Sequence, residues 1–170
     1  MNGTLKRLDT VHAKLSQAIR TTNPDLFSRR PSENEWSIVE VVHHLCLVEE
    51  RVLTELKKSL QTEPATVGFL KKLIPMRIVS LRLTRVEAPK AVTPNNPPPM
   101  DELLQTYDTA RADLKKFCTE QGRQRLKAMA VKHPVFGYID GTAAVSMVRF
   151  HEERHYKQIR EILKKLGASN

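Results

Sequence analysis

Two histidines, His151 and His155, stand four residues apart in a stretch whose apolar residues have helical spacing, residues 141–166. Side chains at i and i+4 of a helix lie on one face with Cβ atoms about 5–6 Å apart, so both imidazoles could bind one metal ion. The face is predicted to turn inward, because the histidines continue an apolar stripe. Its members are Val148, His151, His155, Ile159, Ile162 and Leu166.

The pair has an ordinary interpretation as well, since a histidine on an apolar face is often a buried structural residue. Glu152, Glu153 and Arg154 stand between the two histidines. They are expected to point elsewhere, which would leave the stripe with no charged side chain beside its imidazoles. The metal interpretation depends on a third ligand from another element, because catalytic zinc sites typically use three protein ligands and keep one position open.

A second helix is predicted to start at Ser37 and to continue to about Leu60. Ser37 and Glu40 have the spacing of a capping box, in which each side chain binds the backbone amide of the other residue. Trp36 and Val41 are placed to form the hydrophobic staple that accompanies such a start. These residues are interpreted as the architecture of a helix start and not as chemistry.

The third histidine is expected from this second helix. His44 falls on or beside its apolar stripe, whereas His43 is turned about 100° away, so His44 is the predicted ligand. Glu49 could hold a ligand imidazole or accept a proton, although a solvated carboxylate is the default interpretation. The stripe consists of Ile38, Val41, Leu45, Val48, Val52 and Leu56.

Two further amphipathic helices complete the predicted fold. The first covers residues 2–21, with His12 at the boundary of its buried face, and the third covers about 101–120, with Asp101 as its N-cap. Asp140 is the predicted N-cap of the last helix. Four such helices predict an all-α four-helix bundle that forms a single domain over residues 1–170.

The structure of two connections between helices can be predicted only in part from the sequence. Residues 62–99 are rich in proline and contain an apolar, basic piece, Phe69–Arg85. It is expected to cover the bundle, with a position on a membrane surface as the alternative. A connection of this length can cross the bundle, so helices two and three need not be antiparallel neighbours. In residues 131–140, His133 is expected to have a structural or rim role, while Val135, Phe136 and Tyr138 could form a wall over one end.

Composition narrows the possible functions. The net charge of +9 invites a nucleic-acid hypothesis, but aromatic residues make up only 5% and the basic residues are scattered. We therefore expect a solvated basic surface, which would also suit an acidic small molecule, and no specific nucleic-acid binding. No segment resembles a signal peptide or a membrane span, which predicts a cytoplasmic protein. Cys46 and Cys118 are expected to be reduced, partly buried thiols, with a catalytic thiol as the alternative.

Three motifs follow one another along the chain: Trp36-Ser37-x-x-Glu40-x-x-x-His44-Leu45, then His133-Pro134-Val135-Phe136-Gly137, then His151-x-x-x-His155. No single motif is very specific, but the ordered set is. Together they resemble the DinB/YfiT-like superfamily of metal-dependent enzymes, and the resemblance covers nearly the whole chain.

The resemblance implies a four-helix bundle with a long crossover after helix two and a divalent metal ion held by His44, His151 and His155. It also implies a metal-dependent enzyme of thiol S-transferase or hydrolase type, often a homodimer. The basic surface would suit an acidic thiol as the small-molecule substrate, which favours transfer. Zinc is the first expectation for the metal, and nickel or iron are alternatives, because imidazole suits all three. A noncatalytic bundle with a structural or vestigial metal site is the alternative function.

Overall fold

A computed structural model describes residues 2–61, 88–133 and 136–168. Within these residues the chain forms four long helices and one β-hairpin. Short 3-10 turns at Pro24–Leu26 and Lys90–Val92 lie in the connections. The helices are α1 (Asn2–Arg20), α2 (Ile38–Lys58), α3 (Met100–Ala128) and α4 (Gly141–Lys165), and the strands are β1 (Ala130–His133) and β2 (Gly137–Asp140).

The predicted start of α2 is confirmed. The Ser37 backbone N–H donates to Glu40 Oε2 at 2.9 Å, and the Glu40 N–H donates back to Ser37 Oγ, which completes the capping box. Arg30 adds an ion pair to the same Glu40 carboxylate. Trp36 packs against the core cluster that contains Val41, as the staple requires. The position of the helix that carries His44 is therefore fixed at its first turn.

The last helix also begins as predicted, whereas α3 starts within one residue of the predicted position but has a different N-cap and a later end. Asp140 Oδ1 accepts a hydrogen bond from the Ala143 N–H at 2.9 Å and caps α4. Asp101, the predicted N-cap of α3, lies inside the first turn after Pro99. A carboxylate is favourable there because it faces the positive end of the helix dipole. The helical path also continues past residue 120, interrupted at Gly122 with φ 70°.

Two groups of buried apolar residues give the helix directions. One group joins the starts of α1 and α4 to the ends of α2 and α3, and the other joins the opposite ends. Helices α2 and α3 therefore run parallel to each other and antiparallel to α1 and α4. The first group includes Leu5, Leu8, Val52, Leu56, Leu114, Phe117, Val145 and Val148, and the second includes Leu15, Ile19, Ile38, Val41, Leu103, Tyr107, Ile159 and Ile162.

Parallel α2 and α3 require a connection that returns along the bundle, which explains the long segment between them. Helix α2 has 21 residues and is about 30 Å long, so the chain must cover that distance before α3 can start. The apolar, basic piece Phe69–Arg85 lies outside the described residues. The described end of the connection brings Val92 into a buried position against α2. Among the described helices, none has an apolar stretch of the length needed to cross a membrane.

A β-hairpin between α3 and α4 was missed by the sequence analysis. Its strands are antiparallel, with Val131 opposite Ile139, and both of these side chains are buried in the core. Tyr138 points the other way and is 45% exposed, so the prediction that it walls the bundle is wrong. Successive strand residues face opposite sides, which is why Ile139 turns inward and Tyr138 outward. Phe136 does pack against the core, and Val135 lies outside the described residues.

Candidate metal centre

Three imidazoles from two helices converge in the interior of the bundle. His151 Nε2 lies 3.2 Å from His44 Nε2 and 3.1 Å from His155 Nε2. One ring nitrogen from each residue lies within 4.8 Å of the other two. His44 and His155 are buried, and His151 is half-buried. The structure thus brings together the three histidines that helical phase selected.

The outer nitrogens of two of these rings are hydrogen-bonded to acceptors. His44 Nδ1 lies 2.7 Å from the Val92 carbonyl oxygen, and His155 Nδ1 lies 2.8 Å from Gln158 Oε1. A carbonyl oxygen can only accept, so each Nδ1 must carry the proton and donate it. The Nε2 atoms of both rings are then left with lone pairs directed at the centre. A ligating imidazole usually has this arrangement.

The donor set fits a divalent metal ion. Lone pairs on His44 and His155 face the same small space, and His151 Nε2 can give a proton to one of them at most. A cation would satisfy all three nitrogens at once. Zinc–nitrogen bonds of about 2.0–2.1 Å in a tetrahedral site place ligand nitrogens about 3.3–3.4 Å apart. The distances of 3.1 and 3.2 Å are close to that separation.

All three histidines are held in the neutral form that a metal requires. Burial lowers the pKa of His44, with the hydrogen bond to Val92 opposing and His43 adding to the effect. Burial lowers the pKa of His151 and of His155 well below 6.5, and the neighbouring imidazoles lower both further. The positive charge of Arg154 acts in the same direction on both. Near neutral pH the site therefore presents three uncharged nitrogen donors.

Several side chains surround the triad without belonging to it. The Trp36 ring lies 5.0 Å from the His44 ring, so this helix-start residue also contacts a ligand candidate. His133 is close enough to His151 to depress its pKa further. Its Nδ1 accepts a hydrogen bond from the Phe136 N–H at 3.1 Å, and the two rings stack. The predicted structural role of His133 in the hairpin agrees with these contacts.

Glu49 lies apart from the three imidazoles and has another partner. Its two oxygens accept from Arg111 Nε at 2.6 Å and Arg111 Nη2 at 3.0 Å. Burial raises the pKa of Glu49, and the guanidinium opposes that rise. Within the described residues, Glu49 forms its hydrogen bonds with Arg111 and none with a triad histidine.

The group of side chains around Glu49 was not predicted from the sequence. Arg111 also donates to Glu152 Oε1 at 2.6 Å, and the Tyr107 hydroxyl donates to that same oxygen. We call Glu49, Tyr107, Arg111 and Glu152 the buried ion network. Glu152 points away from the two histidines, as expected, but it is 1% exposed and therefore buried, which the stripe pattern did not predict. Glu152 directly follows His151 and faces α3 and α1. It is buried because a helix in a bundle buries a wider face than a single stripe of residues.

The spacing of residues along α3 could have predicted that Arg111 is buried. Arg111 follows Tyr107 by four residues and precedes Leu114 by three, which places it on the buried stripe of α3. On α1, His12 stacks against Tyr107 with ring centroids 4.1 Å apart, and its Nε2 lies 2.7 Å from Asp108 Oδ1. This agrees with the predicted boundary position of His12.

The two thiols belong to the hydrophobic core. Cys46 and Cys118 are both free and buried. Burial raises the pKa of each thiol to about 12, and Glu49 adds to the effect on both. A nucleophilic cysteine needs the thiolate form, so neither environment favours a catalytic thiol.

Comparison with known proteins identifies the family. The family described as the DinB superfamily matches residues 7–159. The chain belongs to the DinB superfamily. YuaE of Bacillus subtilis is 24% identical over 149 residues, which cover 87% of this chain and 90% of that protein. The resemblance carried by the three ordered motifs is therefore confirmed.

Two solved structures share the four-helix fold of this chain. The four-helix bundle protein TT2238 has a TM-score of 0.63 and 22% identity, over 94% of this chain and 98% of that one. YfiT from Bacillus subtilis has a TM-score of 0.68 and 20% identity, over 99% of this chain and 88% of that one. YfiT is described as a probable metal-dependent hydrolase with an unusual four-helix bundle topology. These likenesses confirm the predicted four-helix bundle.

Proposed function

We propose that this chain is a divalent-metal-dependent enzyme whose metal ligands are His44, His151 and His155. The observation that carries the proposal is the convergence of three Nε2 atoms, with His151 Nε2 within 3.1 and 3.2 Å of the other two. The hydrogen bonds that fix the outer nitrogens of His44 and His155 support it. YfiT, which shares the fold, is described as a probable metal-dependent hydrolase, and this description agrees with the proposal.

In the proposed enzyme, different residues bind the metal ion, orient the ligand rings and admit the substrate. The three imidazoles hold the ion through neutral nitrogens, and three ligands leave a coordination position for substrate. An ion held there supplies Lewis acidity, which makes a nucleophile available near neutral pH. Val92 and Gln158 keep two of the rings oriented. His151 is the most exposed of the three ligands, so the substrate is expected to approach from its side.

Two reaction types suit this centre, namely hydrolysis and transfer of a thiol to an electrophile. The description of YfiT favours hydrolysis. The net charge of +9 and the cation Arg154 beside two ligands favour an anionic small molecule, such as an acidic thiol. Zinc is the first metal to test, followed by nickel and iron. A homodimer is part of the proposal, and light scattering coupled to size-exclusion chromatography tests it.

The direct experiment is elemental analysis of protein purified without added metal and without a nickel column. The proposal predicts about one divalent ion per chain, in line with a three-histidine site. The metal-free protein is then screened for thiol transfer and for ester and amide hydrolysis, before and after each metal is restored. Activity that appears only with metal supports the proposal. A chain that binds no divalent ion overturns it.

A structural metal site is the second candidate, and one observation favours it. His44 is 4% exposed and His155 is 6% exposed, so two of the three ligands are almost excluded from solvent. A structural ion would be shielded from added ligands, whereas a catalytic ion must accept one. Titration of the Co²⁺-loaded protein with a small thiol separates the two functions. A change in the visible absorption spectrum supports the enzyme, and an unchanged spectrum supports the structural site.

A further inference from the structure

One guanidinium joins all four helices just beside the candidate metal centre. Arg111, on α3, donates to both oxygens of Glu49 on α2 and to Glu152 Oε1 on α4 at 2.6 Å. Its Nη1 donates to the Leu8 carbonyl oxygen on α1 at 3.0 Å. Arg111 is 4% exposed, so these contacts are made away from solvent. The Tyr107 hydroxyl, one turn earlier on α3, donates to Glu152 as well.

The two carboxylates stand on the helices that carry the ligand candidates. Glu49 follows His44 by five residues on α2, and Glu152 directly follows His151 on α4. A helix turns about 100° per residue, so each carboxylate points well away from its histidine. Among the hydrogen bonds of the described residues, those of the network therefore do not include the triad histidines. The network's guanidinium nevertheless binds one carboxylate on α2 and one on α4, so it links the two helices that carry the three histidines.

Stability alone does not account for this arrangement. Two carboxylates and one guanidinium are removed from water, and replacing such a group by apolar side chains is often neutral or stabilising. The charged group instead restricts the relative orientation of the helices that it joins. A planar guanidinium that binds one carboxylate through two nitrogens accepts few orientations. A metal site needs that restriction, because its donors must stay within about 0.5 Å of their productive positions.

We propose that Arg111 is a positioning residue for the three-histidine centre. It binds Glu49 and Glu152 at once and so holds α2 and α4 in the one relative placement that directs His44 toward His151 and His155. The inference rests on the proposed metal function. It adds that metal affinity depends on a residue whose hydrogen bonds go to Leu8, Glu49 and Glu152 and to none of the three ligands.

The test compares Co²⁺ binding by the full-length wild-type chain and three variants. Arg111→Lys keeps the charge but loses the planar fork. A triple variant, Arg111→Met with Glu49→Gln and Glu152→Gln, removes the three charged groups of the network. The amide introduced at position 152 still offers an acceptor to the Tyr107 hydroxyl. Lys115→Met is the matched control, because Lys115 stands one turn further along α3 and, among the described residues, forms its ion pair with Asp9 at the surface. Circular dichroism and thermal melting verify folding.

Both network variants are expected to melt cooperatively and to bind Co²⁺ about 10- to 100-fold more weakly, the range found when groups that orient ligands are lost. Their visible spectra should differ in intensity from that of the wild type, since coordination geometry changes. Lys115→Met should match the wild type in Co²⁺ affinity and in its visible spectrum. If Arg111→Lys fails to fold, the triple variant decides.

Wild-type affinity and spectrum in the folded variants would overturn the role of Arg111 and leave the metal function standing. Unfolding of the triple variant would also overturn it, because the network would then be needed for the bundle itself. Failure of the wild-type chain to bind Co²⁺ would instead overturn the proposed function, and the inference with it.

Discussion

His44 and His151 are separated by 107 positions in the chain, yet their Nε2 atoms lie 3.2 Å apart. The contact depends on antiparallel packing of α2 and α4, whose buried stripes place both rings in the interior. Such a pair of inward-facing nitrogens is unfavourable unless a proton or a cation lies between them.

The stability of the metal-free protein should fall as the pH drops below about 6.5. The folded-state pKa values of His44, His151 and His155 are lowered mainly by burial, while the unfolded chain titrates near 6.5. Below that value the unfolded state binds more protons, so the stability present above it is lost. Each histidine that stays neutral in the fold contributes about 1.4 kcal/mol of loss between pH 7.5 and 5.5.

Urea unfolding of protein treated with a chelator, at pH 7.5 and 5.5, measures this loss. A His155→Gln variant should show a smaller difference between the two pH values, since one depressed pKa is removed. Equal stability of the wild type at both pH values would count against the buried neutral triad.

Gln158→Ala should weaken metal binding by about tenfold, because a lost partner of a ligand imidazole typically costs 10- to 100-fold in affinity. Gln158 Oε1 lies 2.8 Å from His155 Nδ1 and fixes the ring orientation. Competition with a chromophoric chelator measures the dissociation constant. The exposed neighbour Lys157→Ala serves as control and should behave as the wild type. Equal affinities in both variants would remove Gln158 from the site.

Ser37→Ala should lower the free energy of unfolding by about 1 kcal/mol, the usual effect of removing an N-cap side chain. Ser37 Oγ accepts the Glu40 N–H at the start of α2. Because His44 lies two turns further along, the metal-to-chain ratio should stay unchanged. Chemical denaturation and elemental analysis give the two values. A variant with wild-type stability would show that the cap is dispensable.

Cys46 and Cys118 should be inert toward a disulfide reagent in the native protein and should both react after unfolding in urea. Both thiols are buried, and burial raises the pKa of each to about 12. The thiolate that attacks the reagent is therefore scarce, and access is closed as well. Release of the coloured thiolate product counts the reactive groups. Rapid modification of either cysteine in the native state would contradict this assignment.

Helical phase and capping rules were sufficient for the parts of the site that depend on one helix at a time. They placed His44, His151 and His155 on inward faces and located the starts of α2 and α4. They did not predict the burial of Glu152, because a bundle helix packs against more than one neighbour and buries residues beside its main stripe. Arg111 stood on a predicted buried face, but its partners come from three other helices, which no local pattern specifies.

The hairpin was missed for a different reason. Val131 and Ile139 alternate with outward residues over only four positions in each strand, which is too short for periodicity to separate a strand from a loop. The continuation of α3 was missed because Gly122, with φ 70°, interrupts the helical path that resumes after it.

The most direct test of the metal centre compares His44→Ala with His43→Ala. The two residues are adjacent on α2, but only His44 belongs to the triad. Elemental analysis after dialysis against one equivalent of Zn²⁺ should give about one ion per chain for the wild type and His43→Ala. His44→Ala should retain less than about one tenth of that amount with unchanged helix content. Equal metal content in the two variants would contradict the three-histidine centre.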